Sequence, residues 1–337
     1  MESVPYSTAH REAWQALCRR SPDAWFWHTR DWCDYTSVYQ STTIAADTSF
    51  LIVEGGEPVA VAPCMALADS APGGARLTLG NYLVPWPALH PGLGRKERRE
   101  AERLAFATYD ELAASRRLSS IDAFGPVLAH SFFRAPLPPA NLPLRYGYAG
   151  SVSDSHVIDI SAPVDELLRN TRKGHRADIK RGSRGFRIRR YYREITDTQF
   201  TDYQNLHALA AGRVTRAQST FDDMRRWIRD GHGVLVGAER DGQWAGFVYF
   251  LVFQKGAYYA SACNHPDVSA AEAVGHALVW EAILACRDAG VELVEMGEQT
   301  YEKPGDNPET QKLAAICRFK RGFGGAPVPY FRASKSL

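Results

Sequence analysis

Val234-Leu-Val-Gly-Ala-Glu, then Asp241-Gly242, then Trp244-Ala-Gly-Phe-Val-Tyr-Phe is the stretch that decides the fold. Two apolar runs flank a dipeptide able to supply the positive φ angles of a tight turn, so the segment reads as a β-hairpin. The first half of the chain repeats it as Phe50-Leu-Ile-Val-Glu, Gly55-Gly56 and Pro58-Val-Ala-Val-Ala. A strand-like segment follows each hairpin, Arg76-Leu-Thr-Leu-Gly in the first half and Ala257-Tyr-Tyr-Ala-Ser in the second. Next come helix-period patterns: residues 96–112 carry Leu104, Ala105, Tyr109 and Leu112, and residues 270–289 carry Ala273, Ala277, Trp280 and Leu284. Short strands close the two sets, Ser120-Ile-Asp-Ala-Phe and Val291-Glu-Leu-Val-Glu. Two copies of helix, hairpin, strand, helix, strand predict a tandem α/β protein, each unit a mixed twisted sheet flanked by helices. Residues 134–150, with Ala135-Pro-Leu-Pro-Pro-Ala-Asn-Leu-Pro, read as a connector because proline removes backbone donors. Domains are expected over 1–150 and 151–325, with the tail 326–337 returning to the first.

The 337 residues are 45% apolar and 23% charged, an ordinary balance for a folded protein. The longest apolar run, Phe247 to Phe253, is far too short to span a bilayer, and no secretory leader is expected. Cys18, Cys33, Cys64, Cys263, Cys286 and Cys317 are scattered without a CxxC or a tight Cys/His group. They read as reduced, buried thiols with no metal site, which places the protein in the cytoplasm. His156, His175, His207 and His232 accompany no nucleophile motif and read as packed or surface residues.

The net charge of +2 conceals a strong partition. Residues 169–193 hold eleven Lys/Arg against Asp178 alone, a local charge of +10, and residues 312–337 hold six and no acid. Such polarisation implies a polyanionic partner. Ser161-Ala-Pro-Val-Asp-Glu reads as a helix start, with serine as cap. Beyond it Arg169, Arg172, Arg176 and Lys180 follow a 3-4-4 spacing that predicts one basic helical face, widened by Lys173 and Arg181. Like charges so spaced oppose helix formation, whereas binding phosphates repays them through counterion release. Without interleaved aromatics, a helix-turn-helix or zinc-finger ligands, the pattern favours the backbone of RNA or a diphosphate, not DNA sequence.

Two stretches resemble the Fem family of aminoacyl-tRNA-dependent aminoacyltransferases, which are built of two tandem GCN5-related acyltransferase (GNAT) units. Arg169-Asn-Thr-Arg-Lys-Gly-His-Arg-Ala-Asp-Ile-Lys-Arg-Gly-Ser-Arg-Gly is similar to the basic helix that enters the family's second unit. Ile316-Cys-Arg-Phe-Lys-Arg-Gly-Phe-Gly-Gly resembles its closing Phe-Lys-x-x-Phe-Gly motif. Gly275-His-Ala-Leu-Val-Trp-Glu-Ala-Ile and Glu295-Met-Gly are similar to the helix and strand before that motif. The resemblance covers residues 165–329 and, in outline, the first half.

The resemblance implies transfer of an aminoacyl group from its ester on tRNA to an amine, in this family commonly on a peptidoglycan precursor. It puts the catalytic lysine at Lys320, whose ammonium would stabilise the oxyanion of the attacked ester, with Phe319 packed beside it. It places a phosphate-gripping arginine at Arg213, with Arg216 nearby, and a substrate-contacting tyrosine at Tyr259 or Tyr258. The basic residues Arg169, Arg172, Lys173, Arg176, Lys180 and Arg181 would hold the tRNA. From its place past Glu295-Met-Gly, Glu298 is a candidate for orienting the amine. The chain also departs from the family. A lysine that follows a tryptophan by four residues is replaced by Thr36 after Trp32, and the coiled-coil insertion of some members is missing. The acceptor is therefore expected to be another amine, small or peptide-like. No cofactor is implied beyond aminoacyl-tRNA as co-substrate.

Two other readings stand beside this one. An acyl-CoA-dependent N-acyltransferase acting on an amino sugar or small amine shares the architecture. It would hold pyrophosphate on a Gln/Arg-x-x-Gly-x-Gly/Ala turn, where this chain has Asp267-Val-Ser-Ala-Ala-Glu-Ala-Val-Gly; Pro91-Gly-Leu-Gly in the first half is a weak match. The third reading is a nucleic-acid or polysaccharide binder on an inactive transferase scaffold.

Overall fold

Both hairpins form, and for the reason the sequence suggests. Asp241 and Gly242 take φ of 52° and 77°, and Gly55 and Gly56 take 59° and 87°, so each turn lies in the left-handed region that these residues tolerate. In the computed structural model, residues 1–71, 74–79, 83–129 and 141–337 are described; Gly80 and the proline-rich residues up to 140 of the expected connector lie outside them. The chain divides into two compact units, Met1–Ser153 with Pro329–Leu337, and Asp154–Val328.

The first unit holds strands β1 (Glu2–Pro5), β2 (Ile44–Asp47), β3 (Phe50–Glu54), β4 (Glu57–Ala62), β5 (Met65–Leu67), β6 (Arg76–Thr78), β7 (Val84–Pro85), β8 (Ala88–Leu89) and β9 (Ser120–Phe124). One antiparallel sheet runs β1-β3-β4-β8. Another runs β2-β5-β6-β9, and residues 332–336 of the last strand add to β9. Helix Arg95–Ser115 buries Ala101, Ala105, Tyr109 and Ala113 at four-residue steps, so its inner stripe lies one row from the predicted Leu104 and Leu112, which are half-buried. Trp32 and Tyr35 stack at 5.3 Å in an aromatic cluster that includes Phe26 and Trp27. Thr36 is 1% exposed on the same helix, its hydroxyl without a partner.

The second unit continues with β10 (Ala149–Asp159), β11 (Arg187–Tyr191), β12 (Gly233–Arg240), β13 (Gln243–Phe253), β14 (Gly256–Asn264), β15 (Leu293–Glu298) and β16 (Ala326–Ser336). Its sheet order is β11-β12-β13-β14-β15-β10. Side chains alternate across β13. Val248, Phe250 and Val252 enter the core under helix Val274–Asp288. On the other face Phe247 meets Tyr203 of helix Asp197–Ala211, and the Tyr249 hydroxyl donates to the Met224 carbonyl of helix Gln218–Asp230. Helices thus cover both faces of the sheet.

The expected single basic helix is broken in two, Val164–Asn170 and Lys173–Gly185, with Thr171 and Arg172 extended between them at ψ 139° and 140°. The cause is non-local: the Arg172 amide, which a continuous helix would use internally, donates to the Gly322 carbonyl. Arg169 and Lys180 therefore do not share a helical face. Nor does Ser161 cap the first helix: its hydroxyl binds Asp159, and Pro163 holds the cap position. Among the described residues no helix is long and apolar enough to cross a membrane, and no group of three His, Cys, Asp or Glu is arranged to hold a metal. All six cysteines are buried thiols outside any disulfide.

Candidate active site

β14 and β15 run parallel and pair only at Gly256–Leu293, Ala257–Val294 and Tyr258–Glu295. Beyond these rows both strands continue, β14 to Asn264 and β15 to Glu298, without pairing to each other. A bulge at Met296, where the register against β10 shifts between His156 and Val157, turns β15 away. The seam so opened is where Lys320 is found.

Lys320 lies in the last turn of helix Pro308–Arg321. Its Nζ donates to the Met296 carbonyl at 2.7 Å and lies 4.3 Å from the centroid of the Tyr259 ring. Burial pushes its pKa down, and Cys317 and Glu295 push back. Tyr259 is itself driven up to about 12 by burial and so remains a phenol. Gly297, with φ of 96°, brings bare backbone under the ammonium: a Cβ there would lie 3.6 Å from the Nζ and 3.5 Å from the Tyr258 hydroxyl. Tyr258 and Tyr259 thus both border the seam, which the sequence left as alternatives.

The rest of the closing motif holds that lysine in place. Phe319 and Phe323 pack edge-on at 5.2 Å and enclose His175 and His276. His175 Nε2 sits 2.9 Å from the Phe319 carbonyl, and a Cβ on Gly322 would lie 2.0 Å from that nitrogen, so only glycine fits there. Gly325, at φ 82°, passes so near the Val157 carbonyl that a Cβ would come within 2.2 Å of it. Burial lowers the pKa of both histidines, His276 to about 4, so the clamp is uncharged. Phe319 is part of this packing.

The remaining predicted residues are spread around the unit. Glu298 is exposed at the end of β15. Arg213 is exposed in the loop after helix Asp197–Ala211, whereas Arg216 is half-buried, its guanidinium 5.4 Å from the Phe221 ring centroid. Among the basic residues, Arg176 is committed to the carbonyls of Arg169 and Thr171, closing the end of the first short helix. Arg181 binds the Ala271 carbonyl and Asp178, and Arg172 approaches His175 Nδ1 at 3.2 Å. Arg169, Lys173 and Lys180 are exposed.

The sequence reading missed Glu295. It is buried in β15, accepts a 2.6 Å hydrogen bond from Ser155, and is raised by burial to about 7. An acid flanked by Val294 and Met296 inside the strand was the available signal.

At the helix start where acyl-CoA enzymes cradle pyrophosphate, part of the backbone is already engaged. Ala273 is left-handed at φ 58°, and the amides of residues 272, 273, 276 and 277 donate to carbonyls of residues 269, 270 and 273. The Ser269 amide donates to the carboxylate of Glu272, which also pairs with Arg240.

Residues 169–309 match the family described as an acetyltransferase (GNAT) domain. No curated protein sequence matches the chain. Among solved structures, FemX is similar at 12% identity and a TM-score of 0.68, over 100% of this chain and 98% of that one. L-PGS from Bacillus licheniformis is similar at 10% identity and 0.57, over 89% and 90%. A tandem GNAT protein from the clavulanic acid biosynthesis pathway is similar at 17% identity and 0.51, over 99% and 98%. The resemblance to Fem proteins read from the sequence is thus matched in the fold. With a parallel seam opened over a lysine and a GNAT domain matched over residues 169–309, the chain has the tandem GNAT fold of the Fem-like structures and carries an acyltransferase domain of the GNAT type.

Proposed function

We propose that this protein moves an aminoacyl group from aminoacyl-tRNA to the amine of a small or peptide-like acceptor. The observation that carries the reading is the Lys320 ammonium in the open seam, together with the Glu272 carboxylate at the helix start where a pyrophosphate would have to sit. A GNAT site whose helix start bears a carboxylate disfavours pyrophosphate there but still needs an activated acyl donor, and an ester on tRNA is one that can be held elsewhere, by its backbone phosphates. Exposed Arg169, Lys173 and Lys180 supply cations for that. In the reaction the amine nitrogen attacks the ester carbonyl, the C–N bond forms, and the C–O bond to the ribose breaks. The amine loses a proton and the ribose oxygen gains one. Negative charge gathers on the carbonyl oxygen in between, and Lys320 is fixed to stabilise it. Arg213 and Arg216 hold the acceptor, with Tyr258 and Tyr259 walling the seam. Buried Thr36, at the family's lysine position, offers no charge to a nucleotide sugar, so the acceptor is a different amine. The cytoplasm, where aminoacyl-tRNA is made, suits this reading.

Acyl-CoA as donor is the second reading, favoured by the acetyltransferase description of the domain matched at 169–309. Incubation with labelled aminoacyl-tRNA or labelled acetyl-CoA and a panel of amines separates the two. Labelled amide from aminoacyl-tRNA alone is expected; product only from acetyl-CoA rejects the preferred donor, and product from neither leaves a binding protein.

A further inference from the structure

Under Lys320, two buried side chains from different strands meet. Ser155 of β10 is fully buried and donates its hydroxyl to Glu295 Oε1 at 2.6 Å, while Glu295 is 8% exposed. Glu295 stands in the last paired row of the seam, opposite Tyr258 on one side and Val157 on the other. The charges that face it are Lys320 from helix Pro308–Arg321 and Glu298 farther along β15. Those that face Lys320 are Glu295 and Cys317, with the Tyr259 ring beneath.

Burial strips water from an ammonium and favours the neutral amine, which is useless for stabilising an oxyanion. A carboxylate nearby reverses that preference. Among the described residues Glu295 and Lys320 feel each other's charge without a direct ion pair. The separation matters, because an ammonium has three protons to give. One is used on the Met296 carbonyl, and a direct ion pair would take another that the reaction needs.

We propose that Glu295 is the positioning residue that keeps Lys320 charged, its carboxylate fixed by Ser155 at a distance that lends field and leaves the ammonium's protons for substrate. This rests on the role given to Lys320 above, and it assigns the seam a charge balance of its own. Replacement by glutamine keeps the shape and removes the field. The Lys320 side-chain NMR signal, assigned by its loss in Lys320→Arg, is followed through a pH titration. In Glu295→Gln its midpoint falls by about 1 pH unit, in the range expected when a nearby opposite charge is removed, and in Glu295→Asp it moves back up. Turnover of Glu295→Gln, measured with whichever donor is active, matches wild type at mildly acidic pH. It falls about tenfold on the alkaline side, with KM for the donor unchanged. An unchanged midpoint, or a turnover loss equal at all pH values, overturns the proposal. The titration needs no substrate, so it decides the matter even if aminoacyl-tRNA proves not to be the donor.

Discussion

In each unit a helix leads to a strand that joins its sheet in parallel, β9 beside β6 and β15 beside β14, but the two seams are finished differently. In the first unit β6 pairs with β9 at Arg76–Ser120 and Leu77–Ile121, and β7 then takes over with Val84 beside Ala123 and Pro85 beside Phe124. The Trp86 amide completes the row on the Phe124 carbonyl. In the second unit pairing between β14 and β15 stops at Tyr258–Glu295, and the Met296 carbonyl beyond it is met by a lysine instead of a strand. Buried backbone groups need partners, so an open seam persists only where something else supplies them. A sealed seam does structural duty, and the open one with an ammonium in it is the proposed place for the chemistry.

The largest effect expected from this contrast is at Lys320. Lys320→Ala removes the ammonium that donates to the Met296 carbonyl and should lower turnover by about 10²–10³, the loss found when an oxyanion donor is deleted. Donor binding should survive, as read by filter retention of labelled tRNA. Turnover close to wild type would remove the second seam from the chemistry.

Glu295 offers a test on stability. Its folded pKa, about 7, lies above the unfolded 4.5, so the folded state binds this proton more tightly than the unfolded chain does. The contribution is fully present below the unfolded value and is lost as pH rises through the folded one. Wild type should lose up to about 3 kcal/mol from this group across that interval, at 1.36 kcal/mol per unit. Glu295→Gln should not show that loss, so denaturant unfolding at about pH 5 and about pH 8 should find it gaining on wild type at the higher value. Parallel pH curves would mean the carboxyl is not held at a cost. The sealed seam gives the opposite pattern: Val84, fully buried, should cost about 2 kcal/mol on truncation to Ala, with turnover unchanged.

Much of this was legible from local sequence. Asp241-Gly242 and Gly55-Gly56 mark hairpins because the turn is a property of the dipeptide, and Lys320 was singled out only through the resemblance of the closing motif to the Fem family's Phe-Lys-x-x-Phe-Gly. What the sequence hid depends on partners far away in the chain. The break at Thr171–Arg172 needs the Gly322 carbonyl, and the meaning of Glu295 needs Ser155, 140 residues earlier. A 3-4-4 run of cations looks like one stripe until the backbone they border is known.

That stripe gives the finest comparison, between cations that are spent on the fold and cations that are free. Lys173 and Lys180 are exposed and engage no carbonyl or carboxylate among the described residues, whereas Arg176 is tied to the Arg169 and Thr171 carbonyls. If tRNA phosphates are held here, each free lysine changed to Ala should lower the slope of log affinity against log salt by about one, with stability unmoved. Arg176→Ala should do the reverse. Losing its two hydrogen bonds frays the end of helix Val164–Asn170, at about 1–2 kcal/mol, while the salt slope stays near wild type. Equal slopes in all three variants would mean that the charge on this segment serves the fold alone, and that the donor's phosphates are gripped elsewhere.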